Sequence, residues 1–285
     1  MARPHFVLLA AALLYGCSTQ ASTPNSSTAT SPLGTYKVIL RDEPALQQAE
    51  QSLIEQCMAR EHIKYVPPPP PSKDGQPLTE PLTTATAVRE GYPQLLPKPK
   101  SAAEVYIASL SETDSRRYRT ALVGADHDKI PISVNGSSVL MPNSGCQSQA
   151  ERAVYGDRKR WAPLHLLIFN LTGQRQFSTS ADAELATATT RWSHCMTAAG
   201  RPFDSPADAI AAAAAAANTS GVSTSGTPKA IAVADATCRA RTNWDAENAA
   251  AAGRALSRVT TTFAKQLTQY RSLQLAALSR IQESK

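Results

Sequence analysis

The sequence predicts a mainly α-helical protein: a disulfide-linked bundle of two similar halves, with a small β-hairpin and a long C-terminal helix. Hydrophobic residues make up 42% of the chain, yet only 6% are aromatic and much of the rest is alanine, which favours closely packed helices. Apolar residues recur at three- and four-residue spacing between helix start and stop signals. Two of the four inner cysteines lie in segments of similar pattern, each followed later in the chain by a helix-like stretch with one more cysteine, and this repetition predicts the two halves.

The N-terminal segment is typical of an export signal. Arg3 precedes an apolar run at 6–14, which is too short for the roughly 30 Å bilayer core but suits a signal peptide. The LYGC sequence that follows resembles the lipobox of bacterial lipoproteins, although Tyr15 departs from the usual pattern. We therefore expect residues 1–16 to be a lipoprotein signal peptide and Cys17 to be lipidated, since two acyl chains give stable anchoring. A plain secretory signal with an incidental cysteine is the alternative.

Composition divides the rest of the chain into three parts. Residues 17–40 are expected to hold the lipidated cysteine and a flexible Ser/Thr-rich tether, because so polar a segment buries too little surface to offset its ordering entropy. Residues 41–160 form a first Cys-paired half with a Pro-rich connector and a β-hairpin. Residues 161–285 form a second Cys-paired half with the long C-terminal helix.

The first half begins with a predicted amphipathic helix. Asp42 is the expected N-cap and Pro44 lies in the expected first turn. Leu46, Leu53 and Cys57 then share one apolar face, which turns the cysteine inward.

A connector, a short helix and a hairpin are predicted next. The VPPPPP segment at 66–71 requires extended polyproline II, either as a stiff connector or as a ligand for an SH3-like module. Residues 72–100 are expected to be irregular. A helix is predicted over 111–124, and the alternating residues of 129–142, with an Asn-Gly turn at 135–136, predict the β-hairpin.

The later elements are mostly predicted helices. Residues 146–156 form a helix, and the apolar stretch at 161–170 is too short to span a membrane, so it is core or a partner-binding patch. An alanine-rich helix starts at Ser205 and stops near 218. The period near 3.5 over 227–281 predicts one very long helix, with Gly253 as the expected bend.

The four inner cysteines are expected to form two disulfides, because their number is even and an exported chain meets an oxidising compartment. QSLIEQCMAREHIKYVPP and ATTRWSHCMTAAGRPFDSP share Cys-Met, a following aromatic residue and a proline. A later helix-like stretch in each half carries one more cysteine. This repetition predicts the pairs Cys57–Cys146 and Cys195–Cys238, each worth about 4 kcal/mol by the loop-entropy model.

Metal binding and nucleophilic catalysis are the alternatives for these cysteines. His62 follows Cys57, and His194 precedes Cys195, but no C-x-x-C spacing occurs. Neighbours on one helix point about 100° apart, which disfavours both a shared zinc ion and a Cys–His pair. The sequence also lacks G-x-S-x-G, a glycine-rich phosphate loop and H-E-x-x-H. We therefore expect no metal, no cofactor and no catalytic residue.

The positive net charge of +6 is spread along the chain rather than concentrated. The densest basic runs, 116–119 and 158–160, are expected to be solvated helix faces or ends. A nucleic-acid partner is not expected, because no basic stripe with interleaved aromatic residues occurs. Salt-sensitive attraction to anionic phospholipid or to teichoic-type polymers is the alternative role for these runs.

Three motifs resemble a group of secreted or lipid-anchored actinobacterial proteins of unknown function. The motifs are Cys195-Met196 with Gly200 and Phe203, the GC…AERAVYG segment with Gly145, Cys146, Ala150, Tyr155 and Gly156, and the ADATC segment of the second half. The resemblance spans most of residues 45–285 and departs at His62, where glycine is usual. It implies export and paired cysteines, and it supplies no catalytic residues.

These observations favour a lipid-anchored protein on the outer face of the bacterial cytoplasmic membrane, or a secreted one if the lipobox is not used. The expected role is that of a non-enzymatic binding or adaptor module, with the membrane as one partner and an envelope protein or cell-wall polymer as another. An extracytoplasmic enzyme acting on cell-envelope polymers and a self-associating scaffold built on the C-terminal apolar stripe are the alternatives.

Overall fold

The computed structural model of the protein describes residues 31–69, 81–134, 137–172, 179, 181–219 and 226–283. The predicted mainly α fold is confirmed within these residues, which form eleven α-helices and one two-stranded antiparallel hairpin. The helices are α1 (Pro32–Arg60), α2 (Thr84–Glu90), α3 (Ala102–Ala108), α4 (Glu112–Val123), α5 (Gly145–Tyr155), α6 (Arg158–Thr172), α7 (Ala183–Ala198), α8 (Pro206–Thr219), α9 (Gly226–Thr242), α10 (Trp244–Thr262) and α11 (Ala264–Glu283). The strands are β1 (Lys129–Val134) and β2 (Ser137–Pro142), and a 3-10 turn covers Pro93–Leu95. The expected signal peptide, the expected lipidation site Cys17 and the expected Asn-Gly turn lie outside the described residues.

The first helix begins well before the predicted cap. Ser31 is the N-cap: its Oγ accepts the Gly34 N–H at 3.1 Å, and a proline occupies the first turn. Asp42 and Pro44 therefore lie inside α1, and the expected helix start at Asp42 is wrong. The polar composition before residue 33 had suggested a later start.

Burial explains why the helix extends so far toward the N-terminus. Tyr36 and Ile39 are 3% and 0% exposed, and both belong to the main core. Residues 32–40, expected to be part of the tether, thus belong to the folded body. Five of these nine residues are apolar, namely Leu33, Tyr36, Val38, Ile39 and Leu40, which is consistent with a place in the core rather than in a polar tether.

The internal repeat reappears in the backbone at the ends of α1 and α7. After each Cys-Met pair the chain closes with the same 6→1 hydrogen bond, from Ile63 N–H to the Met58 carbonyl at 3.0 Å and from Arg201 N–H to the Met196 carbonyl at 2.9 Å. This bond defines the Schellman motif that commonly ends a helix.

A Schellman motif requires a left-handed residue at its C′ position, and the two halves meet this need differently. Gly200 has φ +73° in one half, and His62 has φ +54° in the other. His62 therefore keeps the same helix end as Gly200, at the cost of a strained backbone.

Two disulfides tie the helices together. Cys57 of α1 is bonded to Cys146 of α5, and Cys195 of α7 is bonded to Cys238 of α9. These are the pairs that the repetition predicts, and each joins the Cys-Met helix of its repeat to a later helix.

The buried apolar residues form two main clusters and a smaller one around the first disulfide. The first core joins α1, β1, α5, α6 and α11 and contains Tyr36, Ile39, Leu46, Ile132, Val154, Tyr155, Trp161, Ala162, Ile168, Leu171, Leu267, Tyr270 and Ala277. The second core joins α2, α7, α8 and α9 and contains Ala87, Tyr92, Trp192, Met196, Ala209, Ala213, Ile231, Ala232, Ala236 and Cys238. The predicted core role of residues 161–170 agrees with the place of α6 in the first core.

The two cores do not follow the expected division at residue 160. The apolar stripe of α11 packs on α1, since Leu267 and Tyr270 join the first core. Conversely, Ala87 and Tyr92 from the expected irregular segment join the second core. Residues 84–95 thus form α2 and the 3-10 turn, because their few apolar side chains have a surface on α9 to pack against.

The predicted single helix over 227–281 is three helices. The chain breaks at Asn243, which has φ +56°, and at Phe263, the C-cap of α10. Asparagine is among the few residues that tolerate the left-handed region. Gly253, the expected bend, lies within α10. The apolar period continues across the breaks because each helix still buries one face, so periodicity alone concealed them.

Candidate functional site

A cleft of about 530 Å³ lies beside the second core, where the 3-10 turn, α7, α8, α9 and α10 meet. We call it the Trp244 pocket. Its apolar walls include Leu82, Leu185, Ile210 and the Trp244 indole. A volume of this size, mostly apolar walls and a few polar groups are typical of small-molecule sites.

A fully buried carboxylate, Asp235 on α9, organises the wall of this pocket. It is 0% exposed and accepts three hydrogen bonds, from Tyr92 Oη at 2.9 Å, from Trp192 Nε1 at 2.9 Å and from Arg239 Nε at 2.7 Å. The three donors come from the 3-10 turn region, α7 and α9. Burial of the phenol and the nearby Asp235 charge raise the pKa of Tyr92, so its hydroxyl stays a donor.

Arg239 carries the positive charge of the site. Its side chain is 11% exposed, it donates to Asp245 Oδ1 at 3.1 Å as well as to Asp235, and its guanidinium lies 4.5 Å from the Trp244 ring centroid. Burial alone would lower the Arg239 pKa, but the two carboxylates hold it above the ordinary value. The cation is thus fixed in place and its charge is fully countered.

Trp244 is oriented from a second direction. Its Nε1 donates to Thr189 Oγ1 of α7 at 3.0 Å. The side chains of Gln94 and Asn248, which also line the pocket, have no hydrogen-bond partner among the described residues. The pocket therefore combines a rigid apolar wall with two uncommitted amide groups.

A second polar cluster lies inside the first core. Tyr270 Oη donates to Glu43 Oε2 at 3.0 Å and lies 3.2 Å from His165 Nδ1, while Gln274 Nε2 donates to the same Glu43 oxygen at 3.2 Å. Burial raises the pKa of Glu43 and lowers that of His165 to about 4. At neutral pH the imidazole is uncharged, so this cluster is a hydrogen-bond network linking α1, α6 and α11.

Two further glutamates border this network. Burial, with the Glu151 charge as the next cause, raises the pKa of Glu50 to about 8. Glu151 itself pairs with Arg158 through a 2.6 Å contact between Oε2 and Nε. None of these residues lines the Trp244 pocket.

The sequence-predicted site residues fall in other places. Cys17, the expected lipidation site, lies outside the described residues. All four inner cysteine sulfurs are bonded to one another in pairs, so neither His62 nor His194 has a thiolate beside it. Within the described residues, no group of three or more His, Cys, Asp or Glu is arranged to hold a metal ion.

The two basic runs differ from each other. Arg116 pairs with Glu112 on an exposed helix face, as expected. Arg158 is 5% exposed and also donates from Nη1 to the Pro142 carbonyl at 2.7 Å, so the expectation that its run is a solvated face is wrong at this residue. The guanidinium is buried because both a carboxylate and a carbonyl are available to pair with it.

Sequence reasoning missed the residues of the Trp244 pocket. Asp235 and Arg239 have the i, i+4 spacing of a helical ion pair, which was the one local signal of the site. Their partners Tyr92 and Trp192 lie far away in the chain, so only the fold brings the four together.

Comparison of the chain with protein-family models, with curated proteins and with solved structures finds no match. In the part of the chain that the structure describes, no helix is both long enough and apolar enough to cross a membrane.

Proposed function

We propose that this protein is an exported, lipid-anchored envelope protein that binds a ligand in the Trp244 pocket. The expected leader at residues 1–16 and the cysteine that follows it support export and anchoring, and the two disulfides are typical of an oxidising compartment. Residues 18–30 would link the anchor to the cap of α1 at Ser31 and keep the folded body near the membrane.

The observation that carries the binding role is the preorganised wall of the pocket. Asp235 fixes Tyr92, Trp192 and Arg239 at once, and Arg239 in turn fixes Trp244. Walls already held in position reduce the entropy lost when a ligand binds. Such a pocket is suited to recognition.

The lining of the pocket favours binding over catalysis. Its described lining residues include no His, Cys, Lys, Asp or Glu. Ser205, which does line it, donates its hydroxyl to Asp208 at 2.6 Å and has no histidine partner. General acid–base and nucleophilic chemistry call for such groups close to the reacting atoms.

The apolar stripe that suggested a self-associating scaffold is occupied within the chain. Leu267, Tyr270 and Ala277 of α11 are at most 1% exposed and pack in the first core. This arrangement supports a binding role carried by the second core rather than by α11.

Photo-crosslinking in intact cells tests the binding role. A photoreactive residue at Ala207, which lines the pocket, should yield a covalent adduct that adds one discrete mass to the protein, whereas the same residue at Leu275, exposed on α11 outside the pocket, should not. Adding Ile210→Trp to the Ala207 probe protein should remove the adduct by filling the cleft. Identical adducts at the two positions, or none at Ala207, would contradict the proposal.

A further inference from the structure

We infer that the Trp244 pocket takes an uncharged amphiphile, a molecule with an apolar group joined to hydroxyls or amides. The inference rests on the proposed binding function and adds the class of the ligand. It follows from the charges, the apolar walls and the uncommitted polar groups of the described lining residues.

The charges of the lining residues argue against an anionic ligand, because the pocket offers it no free counter-ion. Arg239 is the only lysine, arginine, histidine or carboxylate among the described lining residues, and it already pairs with Asp235 and Asp245 at 2.7 and 3.1 Å. One face of its guanidinium is covered by Trp244. An entering carboxylate or phosphate would meet a cation that is already neutralised by two carboxylates.

A cationic ligand would also find no counter-ion among the described lining residues. Neither Asp235 nor Asp245 lines the pocket, and Asp235 has no exposed surface. An ammonium group would lose its hydration without reaching a carboxylate, which is unfavourable. Tyr92 adds no charge either, because its pKa is raised.

The apolar walls of the pocket favour a ligand that carries an apolar group. Leu82, Leu185 and Ile210 come from three different segments and meet at the cleft beside the Trp244 indole. Burial of apolar surface against such walls supplies non-directional affinity. The indole stays in place because its Nε1 is bonded to Thr189.

The side-chain amides of Gln94 and Asn248 favour a ligand that carries hydroxyl or amide groups. Gln94 is exposed and Asn248 is half-buried at the cleft; each carries a donor and an acceptor, and neither side chain has a partner among the described residues, so both are open to a ligand. A ligand hydroxyl or amide also both donates and accepts, so it can satisfy both functions. A carboxylate can use only donors and an ammonium only acceptors.

Three probes with the same octyl chain separate these cases: octyl glucoside, octyl sulfate and octylammonium, each titrated below its micelle concentration into the disulfide-bonded protein. Calorimetry at low ionic strength should give at least tenfold tighter binding of octyl glucoside than of either ion, about 1.4 kcal/mol. Ile210→Trp should remove this binding, while Leu275→Trp on exposed α11 should leave it unchanged.

A second variant keeps the test valid if Ile210→Trp fails to fold. Asn248→Asp places one negative charge in the pocket without changing the size of the side chain. It should raise the affinity for octylammonium at least tenfold relative to octyl glucoside. No change in this ratio would overturn the assignment of the head-group site to Asn248.

Two negative results would bear differently on the proposed function and on the inferred ligand class. If no probe binds, the Trp244 pocket is not a ligand site for this class and the proposed function loses its support as well. If octyl sulfate or octylammonium binds as tightly as octyl glucoside, the pocket still binds ligands and only the inference of an uncharged ligand is overturned.

Discussion

Replacing Asp235 by alanine should destabilise the second core strongly. The change leaves the Arg239 guanidinium, the Trp192 N–H and the Tyr92 hydroxyl without the acceptor they share in a fully buried position. Loss of one partner of a buried ion pair costs about 3–5 kcal/mol. Arg239 keeps Asp245 at 3.1 Å, so we expect the lower end, about 3 kcal/mol.

The loss of stability caused by Asp235→Ala is measured by urea unfolding with the disulfides intact. At about 2–4 °C per kcal/mol for a domain of this size, the same loss should lower the melting temperature of the second core by about 6–12 °C. Glu112→Ala is the matched control, because Glu112 and Arg116 form the same i, i+4 pair on an exposed face. It should change stability by no more than about 0.5 kcal/mol.

A double variant separates the ion pair from the two neutral donors. Arg239→Met added to Asp235→Ala removes the buried guanidinium, whose one remaining partner is the partly exposed Asp245, so it should recover part of the loss. A loss below about 1 kcal/mol for Asp235→Ala, or one equal to that of Glu112→Ala, would refute the claim that this carboxylate organises the pocket wall.

Three further predictions concern the helix ends, pH and the anchor. His62→Gly should stabilise the protein by about 1 kcal/mol, and Gly200→Ala should destabilise it by a similar amount, because both positions have a left-handed backbone. Melting temperatures that shift in the same direction for the two variants would count against this. Between pH 4.5 and about 8 the folded protein holds a proton on Glu50 that the unfolded chain has lost, so the Glu50 contribution to stability should fall with rising pH by up to about 1.4 kcal/mol per unit. His165, whose pKa is lowered to about 4, has the opposite effect up to about pH 6.5, so the net fall is expected between pH 6.5 and 8. Glu50→Gln should flatten this slope in urea titrations at pH 5, 6.5 and 8, and the exposed control Glu55→Gln should not. Cys17→Ala should move the protein from the membrane fraction to the medium or leave it unprocessed, and unchanged membrane retention with normal maturation would speak against the anchor.

The helical class and the cysteine pairs were predictable because their signals are local or repeated. Apolar spacing marks single helices, and the two Cys-Met segments align closely enough to predict equivalent bonds. The shared Schellman bonds of Met58 and Met196 have the same origin, since similar local sequences close a helix in similar ways.

The packing of distant segments was not predictable in this way. Nothing near Tyr92 indicates that its hydroxyl meets Asp235, and nothing in the stripe around Tyr270 indicates that it packs on α1 rather than on its own half. The breaks at Asn243 and Phe263 were hidden for a related reason, because an apolar period can continue through a helix end when the next helix faces the same core.

The most direct test of the account is mass spectrometry of the native protein after alkylation without reduction. The account predicts an N-terminus at Cys17 bearing a diacylglycerol mass, no alkylated thiol, and linked peptides for Cys57–Cys146 and Cys195–Cys238. An intact leader together with four alkylated inner cysteines would contradict it.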